Sequence, residues 1–155
     1  MKVAVSCDHA GFPLKEAVLA AVRAVGDEPI DLGVFADHPP ADWPDVAESA
    51  GRAIQRGEAE RGIVICGSGV GAAIAANKLH GIRAGMCHDT YSARQSVEHD
   101  NANVLSLGAR VIGGELAEDL VKAFLNARFN GEPRHVRRLA KLKALEEGEA
   151  SLPAE

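Results

Sequence analysis

The sequence predicts an α/β fold: a doubly wound parallel sheet of about five strands flanked by helices. Two observations predict it. Short apolar runs alternate with stretches of helical periodicity along the whole chain, the pattern of successive βαβ units. One apolar run ends in Cys66 and passes at once into a glycine-rich turn, Gly67–Gly71, and then an alanine-rich helical stretch. Open α/β sheets bind ligands at the carboxyl edge, where a strand hands over to a helix in this way. With 155 residues, 46% of them hydrophobic, the chain can bury the core of one domain. That domain is expected over 1–147, with 148–155 a frayed tail.

Each element has its own signal. Lys2–Cys7 reads as the first strand. Leu14, Val18, Val22 and Val25 share one face of the helix that follows. Glu28–Leu32 is a weaker strand closed by Gly33. A loop with His38, Pro39, Pro40, Asp42, Trp43 and Pro44 leads to a helix over Asp45–Arg56, capped near Asp45. Ile63–Cys66 is the strand before the glycine turn, and its helix runs to about Lys78. Ile82–Met86 is a strand, Ser92–Glu98 a helix and Val104–Leu107 the last strand. The helix over Glu115–Asn126 is expected to bury Leu116, Leu120, Val121 and Phe124. A basic helix from Pro133 carries Val136, Leu139, Leu142 and Leu145 as core or dimer packing. The loops after Cys7, Cys66, Met86 and Leu107 then share one sheet edge.

Composition narrows the function. A net charge of -5 argues against general nucleic-acid binding. Cys7, Cys66 and Cys87 are widely spaced, without a CxxC pair, so neither a metal site nor a disulfide framework is expected. The N-terminus begins a strand rather than a signal peptide, and no apolar run is long enough to span a membrane. A cytoplasmic protein is the expectation.

The glycine turn admits three readings. Gly67, Gly69 and Ala72 fit the dinucleotide pattern G-x-G-x-x-G/A, with Asp89 about where a ribose-binding acid would stand. That motif, however, normally follows the first strand of its unit, and this one follows the third. A Walker loop lacks its lysine here, and a cysteine-phosphatase loop lacks its arginine. The second reading is an oxyanion or phosphate cradle serving Cys66. A helix end favours anions, and thiolate over thiol. The third is a tight turn over a buried, inert cysteine.

A wider set of motifs bears on this choice. SCDHAG at Ser6–Gly11, GIVICGSGVG at Gly62–Gly71, ANK at Ala76–Lys78, HDTYSA at His88–Ala93, EHDNANVL at Glu98–Leu105 and GARVIG at Gly108–Gly113 together resemble the type B ribose-5-phosphate isomerase family. That family includes the galactose-6-phosphate isomerase subunits. The resemblance runs from Met1 to about Leu145. It implies a flavodoxin-like or Rossmann-like sandwich, a homodimer or a homotetramer of dimers, no metal or nucleotide cofactor, and a phosphorylated sugar as substrate. The reaction it implies is aldose–ketose isomerisation through an enediolate, with ribose 5-phosphate and ribulose 5-phosphate the leading pair. A tetrose or hexose phosphate, such as allose or galactose 6-phosphate, is the alternative. A non-catalytic sugar-phosphate sensor is the remaining reading.

By this resemblance Cys66 is the base that moves the proton between C2 and C1. A free thiol titrates near ~8.5 and needs activation for that work. Main-chain N–H groups of Gly67, Ser68, Gly69, Val70 and Gly71 would stabilise the enediolate. The Ser68 hydroxyl could pass a proton between the sugar oxygens or cap the helix. Asp8 and His9 are implied in ring opening and binding, His9 near the phosphate. His99 is the implied acid/base for opening the furanose. Arg110, Arg134, His135 and Arg138 are candidates for the phosphate clamp, Arg134 and Arg138 sharing a helical face. The site is expected at a dimer interface, with His99 reaching the partner's Cys66. Capping is the simpler role for His88 and Asp89.

Two positions depart from the family pattern. Asp100 stands where relatives usually have asparagine. Trp43, a candidate for the sugar pocket wall, stands where many have tyrosine. An ionised carboxylate accepts hydrogen bonds but cannot donate them, so the length and stereochemistry of the sugar stay open.

Overall fold

The computed structural model describes residues 1–36 and 40–148. The expected loop residues His38 and Pro39, and the expected tail beyond Gly148, lie outside the described residues. Five strands, β1 (Lys2–Cys7), β2 (Glu28–Asp31), β3 (Arg61–Cys66), β4 (Ala84–Met86) and β5 (Val104–Gly108), form one all-parallel sheet. Among the described residues six helices accompany them: α1 (Phe12–Ala24), α2 (Trp43–Gln55), α3 (Val70–Ala76), α4 (Thr90–Asp100), α5 (Gly114–Asn126) and α6 (Pro133–Glu146). The spatial order is β2-β1-β3-β5-β4. The sheet therefore winds one way from β1 and the other way from β3. β5 inserts between β3 and β4, so the last two strands are exchanged relative to the flavodoxin-type order.

Alternation along the strands sorts the core into two layers. Val3, Val5, Ile63, Ile65, Leu105 and Leu107 face α1, α4 and α5, where Val18, Val22, Leu120, Val121 and Phe124 complete a cluster of bulky side chains. Ala4, Val64, Cys66 and Val104 face the other way, against Ala47, Ala50, Ala72 and Ala76 of α2 and α3. Small residues on that face let the helices approach closely. A side chain that ends β3 on it, Cys66, therefore meets backbone rather than bulk.

Several boundaries differ from those expected. α2 begins at Trp43, with Asp42 as its N-cap and Pro44 in its first turn. Proline is well suited to that place because its missing N–H is not needed there. α3 stops at Ala76 and β4 starts only at Ala84. The expectation for Leu116 is corrected: it is exposed, and α5 buries Ala117, Leu120, Val121, Phe124 and Leu125 instead. α6 buries only His135 and Ala144, leaving Val136, Leu142 and Leu145 on the surface. The apolar stripe of α6 is thus not core within this chain. It lines a groove of about 1120 Å³ shared with α4 and the β4 edge. No helix among the described residues is long and apolar enough to cross a membrane.

Candidate active site

The sheet reverses its winding between β1 and β3, and a crevice opens outside their carboxyl ends, as the physics of open sheets requires. A cleft of about 390 Å³ lies there, lined by Asp8, Ala10, Trp43, Cys66, Gly67, Ser68, Gly71, Arg110 and Val111. Cys66 is 4% exposed, and its Sγ accepts the Gly69 N–H at 3.1 Å. Just after that N–H the chain turns into α3, with Gly69 as its N-cap at a left-handed φ of 83°, a conformation glycine adopts at little cost. The other two thiols differ. Burial pushes both Cys7 and Cys87 up, which keeps them protonated and inert.

The remaining cleft residues are positioned by their own elements. Asp8 follows β1, donates its N–H to Ile65 O at 3.2 Å and accepts the Gly11 N–H at 2.8 Å. His9 Nδ1 accepts from Ala41 N at 3.3 Å. The Arg110 side chain lies over Gly67, about where a Cβ on that glycine would meet Cδ and Nη1 at 3.6 Å. Ser68 is exposed, and its Oγ accepts the Val70 N–H at 3.2 Å. Two of the five N–H groups expected to face an oxyanion, those of Gly69 and Val70, are therefore engaged within the protein. Trp43 rests on Gly71, whose Cβ would meet the indole at 3.0 Å. That contact weighs against the dinucleotide reading, because the ring occupies the approach to the helix end that a pyrophosphate needs.

The other candidates gather elsewhere. His99 lies in the last turn of α4, its Nδ1 2.9 Å from Gln95 Nε2. Its ring stacks on His135 with centroids 4.2 Å apart. His135 is 1% exposed, and Nδ1 meets Asn130 Oδ1 at 2.8 Å. Burial, then the neighbouring His99, lowers the His135 pKa. His135 is thus turned into the contact between α4 and α6, away from the exposed Arg134 and Arg138. Arg134 pairs with Glu132 at 2.9 Å. Asp100 ends α4 on the side of the apolar groove. α4 leaves the carboxyl edge at Thr90 and finishes near the amino end of β5. Within one chain, His99 and Cys66 are therefore separated by about one strand length, roughly 16 Å. Among the described residues, no group of three His, Cys, Asp or Glu side chains could hold a metal ion.

A model of the ribose/galactose isomerase family matches residues 3–142. The chain belongs to this family. A ribose-5-phosphate isomerase B of Escherichia coli is 44% identical over 146 residues, 94% of this chain and 97% of that protein. A D-erythrulose-4-phosphate isomerase of Mycolicibacterium smegmatis is also 44% identical, over 134 residues, 84% of this chain and 87% of that protein. The type B ribose 5-phosphate isomerase structure from Trypanosoma brucei superposes with a TM-score of 0.89 at 43% identity, covering 93% of this chain and 97% of that one. These relatives are sugar-phosphate isomerases, and this family member is an enzyme of that class.

Two residues that hold these groups in place, Ser106 against Gly69 and Asn130 against His135, are missed by sequence reasoning, and His88 is read only in part. Ser106 and Asn130 carried no signal, since one sits in an apolar run and the other in a connection. His88 and Asp89 were expected to cap. Asp89 does, accepting the Ser92 N–H at 2.7 Å. His88 instead accepts the Gly108 N–H through Nε2 at 3.0 Å. Burial holds the His88 pKa below the ordinary 6.5. Only the neutral ring can accept this bond, so its contribution to stability is complete above 6.5 and is lost as pH falls through the lowered folded value. Melting temperature measured between about pH 5 and pH 8 should fall in acid. His88→Gln, whose Oε1 can accept without titrating, should flatten that fall. Equal slopes for the two proteins would remove His88 from the acid response.

Proposed function

We propose that the enzyme interconverts an aldose phosphate and a ketose phosphate through an enediolate, with ribose 5-phosphate and ribulose 5-phosphate as the leading pair. The observation that carries this reading is the cleft itself. One thiol, one glycine turn, one carboxylate and one arginine converge at the topological switch point. The Cys66 thiolate takes the proton from C2, giving a thiol and an enediolate, and the thiol returns the proton to C1. Ser68 moves the hydroxyl proton between the two sugar oxygens. Backbone donors of the turn oppose the developing negative charge. Asp8 and His9 assist ring opening, and Arg110 binds phosphate with its planar fork.

His99, Arg134 and Arg138 complete the site from a second copy of the chain. Two observations support that arrangement. α4 runs away from the carboxyl edge and carries His99 in its last turn, about one strand length from Cys66 of its own chain. Val136, Leu142 and Leu145 of α6, with Val70, Ile74 and Met86 near the cleft, are exposed apolar residues of a kind that marks an interface. The reading includes a homodimer or homotetramer in the cytoplasm.

A second reading keeps the chemistry and changes the sugar. It is favoured by the equal identity to the Mycolicibacterium relative, whose name specifies a four-carbon substrate. Assay of purified protein against tetrose, pentose and hexose phosphates separates the two. Preference for ribose 5-phosphate supports the first reading, and exclusive turnover of another sugar supports the second. Binding without turnover of any panel member would favour a sensor. Asp100 is the residue best placed to decide sugar choice, being exposed at the end of α4 directly beside His99. Asp100→Asn should change the ratio of kcat/KM between two sugar phosphates by about tenfold while barely moving the melting temperature. Unchanged ratios would exclude Asp100 as a specificity residue.

A further inference from the structure

Ser106 is a hydroxyl in the middle of an otherwise apolar strand. It is 0% exposed between β3 and β4, where it pairs with Val64 and Met86. A buried hydroxyl is costly unless it finds a partner, and Ser106 Oγ donates to Gly69 O at 2.6 Å. That carbonyl already accepts the Ala73 N–H at 3.1 Å, so the serine is not needed to satisfy it. What the bond adds is position.

The turn from Cys66 to Gly69 is tied residue by residue to β5 and the two residues after it. Ala109 N donates to Cys66 O at 2.9 Å and Arg110 N to Gly67 O at 3.0 Å. The Gly108 backbone lies so close to Ser68 that a Cβ there would sit 2.5 Å from its carbonyl carbon and oxygen. At Gly69 the tie is a side chain, Ser106. Gly69 is also where the turn is softest, because glycine moves between left- and right-handed conformations with little penalty. In the observed turn its N–H lies on Cys66 Sγ at 3.1 Å, with Gly69 itself left-handed as the N-cap of α3.

We propose that Ser106 is a positioning residue for Cys66, anchoring Gly69 through its carbonyl so that the N–H on the other side of the same Cα stays on the sulfur. The proposal rests on Cys66 as the base of the reaction. A thiolate gains from a hydrogen bond donated to it, so a slack Gly69 leaves the thiol harder to ionise and the base weaker.

The test uses Ser106→Ala and Ser106→Thr in the full-length protein, with two readouts. One is kcat and KM for whichever sugar phosphate is turned over. The other is the pH dependence of Cys66 alkylation by iodoacetamide, followed by mass spectrometry of the Cys66 peptide, which reports on the thiol whether or not it is catalytic. Ser106→Ala should lower kcat about tenfold with KM within about twofold. Its alkylation midpoint should move up by about half a pH unit or more. Ser106→Thr, which keeps the donor, should restore both. An unmoved alkylation midpoint in Ser106→Ala overturns the proposal. So does a loss of kcat accompanied by rising alkylation of Cys7 and Cys87, since that reports a loosened fold. A raised midpoint with normal kcat, together with an active Cys66→Ala, leaves Ser106 holding the thiol and refutes Cys66 as the base.

Discussion

Cys66→Ala is expected to lower kcat by roughly a hundred- to ten-thousandfold, the usual worth of a positioned general base, while sugar-phosphate binding stays measurable by calorimetry. The reason is geometric. Cys66 is the thiol that lines the cleft and the base of the proposed reaction, whereas the other two thiols are held inert by burial. Removing Sγ leaves the Gly69 N–H without its acceptor but leaves Asp8, Ser68 and Arg110 in place to bind. Substantial residual turnover would reassign the base.

Gly108→Ala should be a severely damaging methyl group at the glycine turn. Its Cβ would stand 2.5 Å from the Ser68 carbonyl group and 2.8 Å from Ser68 Cα. These are backbone atoms, which cannot rotate away as a side chain would. Overpacking of this kind costs about 1–3 kcal/mol, and relief requires the glycine turn to move off β5. Turnover should fall about a hundredfold or more, because small displacements of catalytic donors are that expensive. Gly113→Ala is the matched control, since a Cβ there meets nothing within 4 Å and its φ of -95° suits any residue. Urea unfolding and kcat for the two variants check the prediction. Comparable behaviour of both would mean that the turn tolerates displacement.

The strands and the site motif were legible in the sequence because each depends on local rules. Alternating apolar runs specify β1, β3 and β5, and the glycine turn specifies the strand-to-helix handover at Cys66. Strand order was not legible. The pairing of β5 with β3 places Leu105 beside Ile63, and no local signal says which of two parallel strands will take that position. The start of α2 could have been placed at Trp43 by the Asp42 cap and Pro44. The leucines of α6 show the limit of periodicity, since a 3.6-residue stripe reports an apolar face but not which molecule covers it. Ser106 was invisible for a related reason. Its partner is 37 residues away, and a serine within a strand looks alike whether or not it has one. His135 sits among arginines in the sequence and reads as a candidate for the phosphate clamp, yet its ring is packed on His99.

The central claim is that Cys66 and His99 act together only across two chains. The most direct measurement is the activity of a purified heterodimer, one chain carrying Cys66→Ala and the other His99→Asn, isolated through two different affinity tags. Each homodimer should be inactive. In the heterodimer one site loses both groups and the other keeps both, so activity should return to about half that of the wild type. A heterodimer as inactive as its parents would place both residues in the site of a single chain and contradict the account.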